Sequence, residues 1–83
     1  MKLDEQSGRI INLIEGFTGR EDISLKFANQ IEVALDDCFP DDNFMQDTVV
    51  MLASYCPGGG KFLYDEAEMI ARLLLVKKKL EMK

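Results

Sequence analysis

Apolar side chains at Leu3, Ile10, Leu13, Ile14 and Phe17 recur at the spacing of one helix face, which predicts an amphipathic first helix over residues 4–17. Gly8 weakens it slightly, and Gly16 and Gly19 supply its stop. In the connector Arg20–Ser24, both Asp22 and Ser24 have the chemistry of a helix cap. Phe27, Ile31, Leu35 and Cys38 then form a second stripe, joined by Ala28 and Ala34, while Lys26, Gln30, Glu32 and Asp36 face water. The second helix therefore runs from Ser24 to Asp37. Pro40 ends it, because proline lacks an N–H and restrains its predecessor away from helical geometry.

A third stripe, Phe44, Met45, Thr48, Met51, Leu52 and Tyr55, places a helix over residues 42–55, capped by Asp41 or Asp42. Pro57-Gly58-Gly59-Gly60 breaks the chain, and Asp65-Glu66-Ala67-Glu68 has the D-x-x-E form of a capping box. The last helix opens there, with Met69, Leu73, Val76 and Leu80 on its core face, widened by Ile70 and Leu74. So wide a stripe suits the helix against which the other three pack. No segment repeats, and no strand-like alternation persists for more than three residues. Short connections between four helices predict an all-α fold, a small antiparallel four-helix bundle, in one domain spanning residues 1–83.

An apolar content of 47% is ample for one core, which separates this chain from disordered sequences. Charge is unevenly spread. Fifteen acids against ten bases give a net charge of −5; residues 1–35 carry −2, residues 36–68 carry −7 and residues 69–83 carry +4. Five carboxylates and no cation fall between Asp36 and Asp47: Asp36, Asp37, Asp41, Asp42 and Asp47, with Phe39 and Phe44 among them. In an up-down bundle the corner between the second and third helices and the start of the fourth are expected at the same end, so Tyr64, Asp65 and Glu66 join this patch, with Asp41 and Asp42 at its crest. Phe39 and Tyr64 lie outside the helical stripes and are the expected exposed aromatics, whereas Phe44 and Tyr55 belong to the core. Aromatic rings amid a charged rim are the usual make-up of interface hot spots, and carboxylates this dense favour a positively charged partner.

Several chemistries are disfavoured. Net acidity argues against nucleic acid as a direct partner, since neutralising phosphates needs a basic footprint. The chain has no histidine, so Ser-His and Cys-His catalysis within it is excluded. The aspartates lack the alternating oxygens, central glycine and terminal glutamate of a calcium loop. Gly58-Gly59-Gly60-Lys61 lacks the Ser/Thr after lysine that a phosphate loop needs, and reads as a flexible connection. No catalytic residue, metal or cofactor is expected. Cys38 and Cys56 fall at opposite ends of a helix about 20 Å long, too far apart to bridge. The opening residues lack the apolar core of a signal peptide, and the run Leu73–Val76 is far short of a membrane span. Lys77–Lys83 reads as the solvated end of a core helix, where cations offset the helix dipole. A cytoplasmic protein with reduced thiols, monomeric when free, is the expectation.

Leu13-Ile14-Glu15-Gly16-Phe17, Gly19, Ile23-Ser24 and Phe27 resemble the opening of the colicin D-type immunity proteins. Leu52-Ala53-Ser54-Tyr55-Cys56-Pro57 resembles that family's aromatic-Cys-Pro helix ending, and Asp65-Glu66 with Ile70 and Leu73 fits its final helix. The resemblance covers residues 10–75. It implies a small helical bundle that neutralises a cognate toxin, in related systems often a tRNA-cleaving nuclease, in bacteriocin or contact-dependent growth inhibition systems. Asp36, Asp37, Asp41, Asp42, Asp65 and Glu66 would then stand in for phosphates in a basic cleft. An acidic helical adaptor or homo-oligomerisation module, pairing through an exposed apolar stripe, is the alternative.

Overall fold

The computed structural model describes residues 2–61 and 63–81, with side chains from Ser7 onward. Leu3 of the first stripe lies outside the described side chains, and Lys83 of the basic tail outside the described residues. Among the described residues four helices make up the fold: α1 (Lys2–Thr18), α2 (Leu25–Cys38), α3 (Asn43–Ala53) and α4 (Glu66–Glu81). Among the described residues the only β-pairing is two isolated bridges, Tyr55 with Tyr64 and Gly60 with Leu63.

The helix starts follow the cap chemistry in the sequence. Ser24 Oγ accepts the Phe27 N–H at 3.2 Å, while Asp22 Oδ1 accepts the Ser24 N–H at 3.0 Å, so the two candidates act in series. Asp42 Oδ1 accepts the Met45 N–H at 3.1 Å and caps α3. At α4 the capping box is reciprocal: Asp65 Oδ1 accepts from Glu68 N–H at 2.9 Å, and Glu68 Oε1 accepts from Asp65 N–H at 3.0 Å.

The end of α1 differs from the expected glycine stop. The Arg20 N–H reaches Phe17 O and the Glu21 N–H reaches Gly16 O, both at 2.9 Å, which is a Schellman closure. Its left-handed position is occupied by Arg20, at φ 63°, one residue beyond Gly19. Gly16 serves packing instead. A Cβ there would lie 3.0 Å from Phe27 Cζ, so its absence lets α2 approach α1.

Ile10, Ile14 and Phe17 of α1, Ala28, Ile31 and Leu35 of α2, Met45 and Leu52 of α3, and Met69, Leu73, Val76 and Leu80 of α4 form one buried core with Tyr55. Each helix packs on two neighbours, in the order α1–α2–α3–α4 and back to α1, while α2 and α4 face each other across the core without close backbone approach. The fourth helix is therefore a member of a ring and not a hub for the other three. Leu74, assigned to its core face by spacing, is 49% exposed and does not join the core. Lys77 Nζ meets Glu15 at 3.2 Å and ties α4 to α1 across their shared seam. The whole is an all-α, small four-helix bundle, as the spacing of apolar residues predicts.

Candidate functional site

The α2–α3 corner is a tight one. Phe39 closes α2 with its N–H on Leu35 O, and its carbonyl accepts both the Asp42 N–H at 3.3 Å and Gln46 Nε2 at 3.0 Å. Gln46 Nε2 also donates to Asp36 Oδ1 at 3.1 Å, so one amide ties the end of α2 to the first turns of α3. Around this frame Asp36, Asp37, Asp41 and Asp47 are exposed, and Asp42 is half-buried beneath its capping bond. Asp42 also has a cation at hand, Lys79 Nζ at 3.9 Å. Among the described residues, Asp36, Asp37, Asp41 and Asp47 have no ion-pair partner, whereas Glu15 and Glu81 both pair with Lys77.

The two aromatic expectations need correction. Phe39 is half-buried and packs against the core, as does Tyr64. Phe39 turns inward because its backbone is the pivot of the corner. Tyr64 is held by its own main chain, whose N–H reaches Ser54 O at 3.1 Å and whose carbonyl accepts the Cys56 N–H at 2.9 Å. Tyr55 is buried as expected, donating its hydroxyl to Ile23 O at 2.6 Å and meeting Phe17 edge-on at 5.2 Å. Phe44 is only half-buried. Its ring is covered by the Arg72 guanidinium at 4.0 Å and by Lys79 Nζ at 4.8 Å.

The expected single acidic pole does not form. Lys79, in the last turn of α4, sits beside Asp42, whereas Asp65 and Glu66 open that helix about 20 Å away. The reason is parity: α3 and α4 run antiparallel, so the start of α4 lies with the end of α3, and Tyr55 bonds there to the α1–α2 connector. Tyr64, Asp65 and Glu66 therefore lie at the opposite end from Asp36, Asp37, Asp41 and Asp42. Their polar groups are engaged locally. Glu66 Oε1 accepts the Gly58 N–H at 2.7 Å, and that bond, helped by its own backbone N–H and by Arg20, holds its carboxyl below the usual glutamate range.

That same bond occupies a donor of the glycine-rich segment with the chain's own carboxylate. The segment is a defined turn, with Gly58 and Gly59 at φ 83° and 79° and the Gly59 N–H on Cys56 O at 2.8 Å. Cys38 and Cys56 are free thiols flanking α3. Among the described residues no three acids or cysteines gather in an arrangement that holds a metal ion, and no helix is long and apolar enough to cross a membrane.

Two organising residues lie outside the sequence patterns. Gln46 carries no periodic signal that would reveal its reach. Arg72 stands beside the core stripe and bonds through Nε to Thr48 Oγ1 and through Nη2 to Phe44 O, both at 2.9 Å, closing the α3–α4 seam with polar contacts. Comparison with known families, curated proteins and solved structures gives no match. The resemblance to colicin D-type immunity proteins accordingly stands on the residues quoted for it.

Proposed function

We propose that this chain is an inhibitory binding protein of the toxin-immunity kind, which sets the α2–α3 corner against the basic active-site cleft of a bacterial nuclease toxin. The observation that carries the reading is the group of four exposed aspartates, Asp36, Asp37, Asp41 and Asp47, without an ion-pair partner among the described residues, on a corner braced by Gln46. Like charges left unpaired at close quarters repel, and a cationic partner relieves that repulsion. In a cleft shaped for phosphates these carboxylates would occupy anion positions and exclude RNA. Opposite charge would speed encounter and select the partner. The footprint is smaller than the sequence implied: Tyr64, Asp65 and Glu66 fall outside it, and Asp42 serves mainly to cap α3.

The test is survival of bacteria expressing a candidate nuclease domain encoded beside this gene, together with either the wild-type chain or the Asp36→Asn/Asp37→Asn/Asp41→Asn/Asp47→Asn variant. The wild type should protect. The variant, with its far-ultraviolet circular dichroism unchanged, should not. Full protection by the variant would remove the corner from the mechanism.

A further inference from the structure

The outward face of α4 carries a second pattern that the acidic corner does not use. Glu68, Ala71, Leu75 and Lys78 follow one another at intervals of three, four and three residues, the spacing of a helix-pairing seam, and all four are exposed. Leu75 is 54% exposed, and the adjacent Leu74, 49% exposed, and Ala67 widen the apolar strip on one side. Apart from Glu68, which closes the capping box, none of this serves the fold, whose contacts on α4 run through Met69, Leu73, Val76 and Leu80 towards the core, through Arg72 and Lys79 towards α3 and through Lys77 towards α1.

The seam reads the same in both directions. Turned end for end about a two-fold axis at the level of Leu73, Glu68 falls opposite Lys78 of a second chain and Ala71 falls opposite its Leu75. Each apolar branch then meets a small residue, and each end of the seam, about 15 Å from the other, joins a carboxylate to an ammonium. In a parallel pairing Glu68 would face Glu68 and Lys78 would face Lys78. Charge therefore selects the antiparallel arrangement. Lys78 has no ion-pair partner in its own chain among the described residues.

We infer that two copies of this chain associate through α4, antiparallel, with Ala71 and Leu75 at the centre and Glu68–Lys78 pairs at both ends. Such a dimer would stand in place of the monomer expected of the free protein. It rests on residues other than the four aspartates, so its failure would leave the immunity reading where it stands.

Sedimentation equilibrium on the full chain, from micromolar to millimolar concentration, tests it. The wild type should show a reversible monomer–dimer equilibrium. Leu74→Gln/Leu75→Gln, which alters only exposed side chains, should sediment as a monomer with unchanged helicity. Lys78→Glu should weaken association about tenfold. Glu68→Lys should weaken it similarly, and because Glu68 also closes the capping box, that variant needs a control. The control is the equimolar mixture of Lys78→Glu with Glu68→Lys, in which the seam regains opposite charges and should form a heterodimer tighter than either variant alone. A wild type that stays monomeric throughout, a dimer that survives Leu74→Gln/Leu75→Gln, or a mixture no tighter than its components would each overturn the inference.

Discussion

Asp41 and Asp42 are neighbours of identical chemistry with different tasks. Asp42 caps α3 and meets Lys79, whereas Asp41 projects into solvent from the turn. Asp42→Ala should therefore cost about 1 kcal/mol, and Asp41→Ala should stay within about 0.5 kcal/mol, in urea denaturation at neutral pH. A charge-reversal experiment that changes both at once would confound loss of binding with loss of a cap. Arg20 offers the opposite case. A β-carbon at φ 63° is strained, so Arg20→Gly should raise stability by roughly 0.5–1 kcal/mol, seen as a higher urea midpoint with unchanged slope. Titration adds a residue-level check at each extreme of pH. Glu66 has a folded-state pKa below its unfolded value, so its stabilisation is present above the unfolded value and lost as pH falls through the folded one. Glu66→Gln keeps an acceptor for Gly58 and should flatten part of the acid limb of the stability profile. Tyr55 is shifted upward, chiefly by burial and then by Glu66, so its share is present below the unfolded tyrosine value and lost at higher pH. Tyr55→Phe should flatten the alkaline limb.

At the scale of elements, successive residues on α4 separate what the sequence made legible from what it did not. Leu73 is fully buried, and Leu73→Ala should cost about 2–5 kcal/mol; Leu74→Ala, one position on, should stay within about 0.5 kcal/mol in dilute solution by the same denaturation measurement. Periodicity identified both as apolar but set the stripe too wide, because it cannot tell how much of a helix its neighbours cover. Helix existence and starts were legible, since Ser24, Asp42 and the Asp65–Glu68 box are local chemistry that acts within one turn. The stop of α1 was misplaced by one residue: glycine usually occupies the left-handed position, and here an arginine does. The seams were not legible. Arg72 reaching Thr48 and Phe44, and Gln46 reaching Asp36 and Phe39, are contacts between elements whose spacing in the chain carries no signal.

For the whole molecule, the consequential revision is the division of the acidic groups between two ends. Composition by segment identified the most acidic stretch, but the end to which each segment belongs depends on the direction of every helix. Lys79 beside Asp42, and Tyr55 on Ile23, settle that direction. What remains at the α2–α3 corner is compact, exposed and anionic, and any complex it makes should weaken steeply with added salt. The most direct measurement is amide hydrogen exchange of the chain with and without the candidate nuclease domain of the survival test. Protection gained across Asp36–Asp47, with Gly58–Glu66 unchanged, is the predicted result. Protection confined to Gly58–Glu66, with none at the α2–α3 corner, would contradict the account.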